Sequence, residues 1–428
     1  MLCITTLFFE LLITLALKLF LGFEPTDAYS LGFIMFFSAA YYMSLYSSKK
    51  YYPVRLIFLV AFLLRVFLLL WDIYARGIFT LPTSGEDTEN FFRHAIRFAN
   101  DEEYWKNSAV VVFGTLAKLF GGNRVLLQFI LTLFSVASAH IVFRIMTILE
   151  MTVKNAKRAL WFMAVLPMYA VLSSVFLRES LVTLTVAVSL LLFVRWWTGK
   201  GEAYFWLSIV FAFLGAVFHS GMIGMAFGYA GIRLLYNQKK QAYRLSFSSV
   251  FVSILFVVLF VFLYTHYSSL FFSKMDEIEE LSDIASGEGR GGSSYASIAG
   301  DSSNLFRFII FTPIRIFLFL FTPLFFQIRG LYDVVAMVFS AFFYLWVYFR
   351  VFWYLRHREN KQLMIALLLI ALVIAFIFGW GGTNIGTQIR HRDKIMPVYI
   401  LMLALSFEPQ EYVPLRRDRF APKWSQVR

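Results

Sequence analysis

The chain has 428 residues, 60% hydrophobic, 19% aromatic and only 15% charged, where an ordinary soluble domain carries about 25% charged residues. No soluble core needs so much apolar surface, and the short alternating segments of a transmembrane β-barrel are missing. The net charge of +13 would point to nucleic acid in a soluble protein. In a membrane protein it marks loops rich in Lys and Arg, so no nucleic-acid partner is expected.

Apolar runs of about 20 residues, the length that crosses a bilayer, predict spans near 2–22, 28–46, 54–75, 124–149, 159–177, 181–198, 203–219, 220–235, 246–267, 331–354, 362–380 and 394–407. The expectation is an all-α polytopic membrane protein of about twelve transmembrane helices, forming one integral membrane domain over 1–428. The first run contains Glu10 and Lys18 and has no small-residue cleavage site, so it reads as a retained span rather than a signal peptide. The lone cysteine, Cys3, leaves neither an internal disulfide nor a thiolate metal site.

With the N-terminus inside, the basic residues fall on the cytoplasmic side. These are Lys49, Lys50 and Arg55, then Lys154, Lys157 and Arg158, then Arg195 and Lys200. Lys239, Lys240 and Arg244 follow, then Arg350, Arg356, Arg358 and Lys361, and finally the basic tail 408–428.

Two long outer loops remain, 76–123 and 268–330. Within the first, 108–120 would make a helix of about 20 Å, too short to span. Within the second, 304–330 holds Arg307, Arg315 and Arg329 and repeats Phe-Thr-Pro at 311–313 and 321–323. Proline removes a helical hydrogen bond and kinks the chain. Both segments are therefore expected to be re-entrant or interfacial helices. Residues 286–303, rich in Gly and Ser, read as a mobile lid or a plain linker.

Four polar clusters interrupt this pattern. The first, SGEDTENFFRHAIRFA (84–99), opens a helix capped by Thr88, with Phe91, Phe92, Ile96 and Ala99 on its apolar face. Glu86, Asp87 and Glu89 sit where the helix dipole favours carboxylates. Dipole placement alone explains them; the functional reading makes one of them, Asp87 first, a general base or a metal ligand at the membrane surface. Arg93 and His94 follow one to two turns later.

The second cluster, SSVFLRESLVTL (173–184), sets Arg178, Glu179 and Ser180 in an otherwise apolar stretch from 159 to 194. A plain turn would use Gly, Asn or Ser, and an adjacent Arg and Glu near oil are costly unless paired or wetted. The third, FHSGMIGMAFG (218–228), places His219 among Gly221, Gly224 and Gly228, which allow helices to approach closely. His219 reads either as a hydrogen-bonded core residue or as a site residue at the outer turn.

The fourth, GGTNIGTQIRHRDKIMP (381–397), packs Arg390, His391, Arg392, Asp393 and Lys394 between two apolar runs. Arg390 and Arg392 diverge by roughly 200° on a helix, so they do not grip one group as a fork. Guanidinium binds phosphate through planar paired donors. Arginine beside oil suits a ligand that is half lipid and half phosphate, such as a polyprenyl phosphate or diphosphate.

The predicted layout together with FLRES, FHSG and GTQIRHRDKIMP resembles the Wzy-type bacterial polysaccharide polymerases, including the EpsG-like branch. More distantly it resembles the wider GT-C class of lipid-dependent glycosyltransferases. The resemblance implies a bacterial inner-membrane enzyme that joins undecaprenyl-diphosphate-linked repeat units at the outer face. It carries phosphate binding to Arg178, Arg390 and Arg392. His391, Arg93, His94, Glu89 and Arg315 complete the expected set of diphosphate- and glycan-binding residues. On chemistry alone Glu179, Asp87 and His219 are the expected catalytic groups, with no metal and no cofactor. Partners would be the lipid-linked oligosaccharides, membrane lipid and a chain-length regulator. Three other readings stay open: a GT-C transferase making single transfers from a polyprenyl-phosphate sugar, a lipid-linked oligosaccharide flippase or other transporter, and a scaffold of a synthesis complex. Arg65, deep in 54–75, favours the flippase unless it is simply a buried, paired arginine.

Overall fold

The structure, a computed structural model, describes residues 2–102, 108–237, 242–243, 305–382 and 384–409, with the backbone alone for 305–309. The predicted span 246–267, the Gly/Ser-rich stretch 286–303 and nearly all of the basic tail 408–428 lie outside the described residues. The described chain is overwhelmingly helical, and seven of its helices are long and apolar enough to cross a membrane. It divides into two compact units. Among the described residues, unit 1 comprises those within 1–144 and 152–184, and unit 2 those within 145–151 and 185–417.

Unit 1 begins with α1 (Leu2–Leu21), α2 (Asp27–Ser47) and α3 (Arg55–Tyr74). The α1 surface leaves Ile4, Leu19 and Phe20 at 71–84% exposure, a patch that only a lipid or protein neighbour would tolerate. Thr14 Oγ1 meets Tyr29 Oη at 2.7 Å, tying α1 to α2.

Helices α4 (Glu86–Ala99) and α5 (Ser108–Phe120) pack as a pair within the long connection 76–123. Gly114 permits this: a Cβ there would stand 2.4 Å from Phe98 Cδ1. The α4 N-cap is Gly85, not Thr88 as expected. Thr88 sits one turn inside, where its hydroxyl accepts from Gly85 N–H at 3.2 Å and donates to Gly85 O at 2.8 Å. The helix thus starts three residues earlier than a Thr88 cap would set it, at the acids themselves.

Next come α6 (Arg124–Ile148), α7 (Val153–Val165), α8 (Pro167–Leu172) and α9 (Glu179–Trp197). The predicted span 159–177 is therefore not one helix. Pro167 offers no N–H to the carbonyl of Met163, and the residue before a proline avoids helical angles. Arg65 repairs the break. Its Nη2 donates to Met163 O at 3.1 Å and its Nη1 to Ala164 O at 3.1 Å and Ala61 O at 3.0 Å. Nε donates to Ser135 and Ser173 hydroxyls. Arg65 is thus a buried arginine with its donors engaged, and it is 2% exposed. The end of α8 and the chain after it pack Val171, Leu172, Val175 and Leu177 against Leu68, Trp71 and Phe91. This apolar patch holds segment 173–178 in place.

Unit 2 contains α10 (Glu202–Phe218), α11 (Ile223–Leu235) and a two-residue pairing of Tyr236–Asn237 with Ala242–Tyr243. Then follow α12 (Leu305–Phe321), α13 (Leu331–His357), α14 (Gln362–Trp380), α15 (Ile385–Asp393) and α16 (Met396–Phe407). α12 runs through Pro313 and stops before Pro323, so the second Phe-Thr-Pro, not the first, ends the helix. α11 lies on α14 because Gly224 and Gly228 present no side chain. A Cβ at either would stand 3.0–3.1 Å from the Ile374 or Ile370 backbone. α16 is buried from Met396 to Ser406, a 12-residue helix enclosed by its neighbours.

Candidate functional site

The predicted residues divide between the two units. In unit 2, α10 ends at His219, whose N–H donates to Gly215 O at 2.9 Å. A 3-10 turn, Ser220–Met222, then reverses the chain into α11. From α15 comes His391. The two rings meet at Nε2, 3.0 Å apart, and each residue is 6% exposed. Both rings touch Phe378 of α14, with centroids at 5.1 Å from His219 and 4.4 Å from His391. Phe378 fits there because residue 221 is glycine: a Cβ would stand 2.3 Å from its ring. A hydrogen bond between two Nε2 atoms requires one donor and one acceptor. At least one ring is therefore neutral, and the pair is suited to taking up and passing on a proton.

α15 separates its arginines as helical geometry requires. Arg392 is 0% exposed and Arg390 is partly buried. Arg392 Nη1 donates to Leu320 O at 2.7 Å and Nη2 to Ser340 Oγ at 3.2 Å, with the guanidinium 5.2 Å from the Tyr344 ring. Leu320 lies in the last turn of α12 before the Pro323 stop, so Arg392 caps a proline-terminated helix much as Arg65 does in unit 1. Ser340 belongs to a π-helical turn, Met337–Ala341, a local bulge that recurs where a helix must present a group off register. Arg315, 3% exposed, lies 4.0 Å over the Trp380 ring. Of the two α15 arginines, Arg390 is the less deeply buried.

Asp393 and Tyr344 carried no weight in the sequence reading. Asp393 is 3% exposed, and its Oδ1 accepts from Tyr344 O–H at 2.6 Å. Burial pushes its carboxyl up to about 6, against Tyr344, Arg392 and Lys394, which favour the carboxylate.

In unit 1, Glu89 joins a closed network. Its Oε1 accepts from Arg76 Nη1 and its Oε2 from Arg124 Nη1 at 3.1 Å. Both arginines also pair with Asp72, Arg76 at 3.0 Å and Arg124 at 3.8 Å. Gln128 Nε2 donates to Asp72 Oδ2 at 3.0 Å and to Ser174 O at 2.8 Å, and Ser84 Oγ donates to Asp72 Oδ1. Burial works to raise the Glu89 pKa. Arg76 and Arg124 outweigh it and hold the carboxyl below its ordinary value. Asp72, Arg76, Arg124 and Gln128 escaped sequence reasoning because each lies at or near the end of a predicted span, where polar residues are ordinary.

The other unit 1 candidates stand apart in exposure. Glu179 opens α9 and is 6% exposed. Arg178, partly buried, stacks 5.8 Å over the Phe91 ring. Asp87 and Arg93 are exposed, and His94 is partly buried. A half-open cleft of about 310 Å³, lined by Lys18, Glu24, Asn100 and Lys118 among others, contains none of the candidate residues. The chemistry, not the cavity, locates the site. Among the described residues no group of three or more His, Cys, Asp or Glu is arranged to hold a metal.

Protein-family models, curated proteins and solved structures give no match to this chain. The functional reading rests on the side chains themselves.

Proposed function

We propose that the protein is a lipid-dependent glycosyltransferase that polymerises undecaprenyl-diphosphate-linked oligosaccharide repeat units. It works at the outer face of a bacterial cytoplasmic membrane, with about twelve spans and both termini inside. The single observation that supports it best is the contact of His219 with His391 at 3.0 Å. It joins FHSG to QIRHRDK, two of the stretches on which the resemblance rests.

The acceptor sugar's hydroxyl oxygen attacks the donor's anomeric carbon as the bond from that carbon to the diphosphate breaks. The hydroxyl proton passes to the His219–His391 pair. The polyprenyl diphosphate leaves with the bonding electrons, and Arg390 stabilises the charge that develops on it. Arg392 and Arg315, tied to Leu320 O and Trp380, hold the ends of α12 and α14 in position. Asp87 is exposed on α4, whereas the His219–His391 pair is buried, so the reaction above does not call on it. The test is chain length in producing cells. His391→Asn should leave single repeat units on the lipid where the wild type makes long chains, and long chains from that variant would refute the assignment.

A further inference from the structure

We propose that Arg76 and Arg124 form a binding site for a phosphate or diphosphate group, and that the Glu89 carboxylate fills that site as a placeholder. Unit 1 holds both arginines from beneath without help from Glu89. Asp72, with its side chain 0% exposed, pairs with each of them, and Gln128 and Ser84 fix Asp72 in turn. Phe92 and Phe176 flank the Arg124 guanidinium at 4.9 and 5.4 Å. The two cations are therefore preorganised, which is what an anion site requires.

Glu89 differs from Asp72 in every relevant respect. Its side chain is 41% exposed, against 15% for Arg124 and 28% for Arg76, so the cluster opens towards it. It reaches both Nη1 atoms from the first turn of α4. With Glu89 in place two carboxylates balance two guanidiniums; with Glu89 swung out the cluster carries one net positive charge. Two phosphate oxygens can replace the two carboxylate oxygens, and guanidinium binds either group in the same planar manner. Arg124 Nη2 makes no hydrogen bond, and its ion-pair partner is Asp72 Oδ2 at 3.8 Å. Arg124 is also the first residue of α6, where the helix dipole opposes a cation and favours an anion beside it. The inference needs only unit 1 and holds whether or not the polymerase reading does.

The test is calorimetric titration of the full-length protein in detergent with inorganic pyrophosphate and with farnesyl diphosphate. Glu89→Gln, which removes the competing charge, should bind at least about tenfold more tightly than wild type. Glu89→Gln combined with Arg124→Gln should lose that gain for both ligands. A larger gain for farnesyl diphosphate marks a lipid headgroup as the source, and an equal gain marks a free anion. Glu89→Asp keeps the charge at the start of α4 but is too short to bridge, and should also bind more tightly. Unchanged or weaker binding in either folded Glu89 variant overturns the proposal. So does failure of pyrophosphate to protect wild-type Arg124 from phenylglyoxal, a measurement that needs no variant.

Discussion

His219 and His391 share a hydrogen bond between Nε2 atoms 3.0 Å apart, although 172 residues separate them in the chain. Groups that act as one unit do not lose function additively. His219→Gln and His391→Gln should each slow polymerisation by about 10²-fold or more. The double variant should be no slower than the worse single. Initial rates at equal folded concentration check this, and losses that multiply would show two independent residues.

Arg65 and Arg392 are predicted to be arginines of the fold. Each donates to main-chain carbonyls at a helix end set by proline, Met163 and Ala164 for Arg65 and Leu320 for Arg392. A buried carbonyl left without a donor costs about 1–3 kcal/mol. Arg65→Met and Arg392→Met should therefore lower the unfolding temperature in detergent. Arg390→Met should abolish polymer. An unfolding temperature unchanged in Arg392→Met would remove Arg392 from the supports of the fold.

These arginines show where sequence reading reaches and where it stops. Hydropathy located α3, α6, α9 and α14 to within about two residues, because one apolar run long enough to cross a bilayer is a local signal. It missed the break between α7 and α8, where the run stays oily, although Pro167 was visible. Had Pro167 been weighed with the buried charge at Arg65, a capped break would have been the natural reading. The acids of 86–89 were legible as a helix start, but the network that gives Glu89 its partners was not. Its other members come from α3, α6 and the turn after α3, and pairing across separate helices leaves no mark on local periodicity. The histidine pair lay between these cases. Both residues stood out singly by their odd surroundings, yet only the turn after α10 brings them together.

Asp393 gives a pH signature. Its carboxyl is raised from 3.8 to about 6, by burial first of all. The folded protein therefore binds this proton more tightly than the unfolded chain. The contribution favours the fold in acid, declines as pH rises past about 4, and is gone above about 6. Asp393→Asn keeps an oxygen to accept from Tyr344 and cannot ionise. Its unfolding temperature should vary less between pH 4 and 6 than that of the wild type. Identical profiles for the two proteins would show that Asp393 does not titrate in this window.

The most direct test uses the purified protein in lipid vesicles, supplied only with undecaprenyl-diphosphate-linked repeat units, with products resolved by length on a gel. The account predicts a ladder of chains from the wild type and unextended repeat units from Arg390→Met and His391→Gln. A single addition and no ladder from the wild type, or a full ladder from both variants, would contradict it.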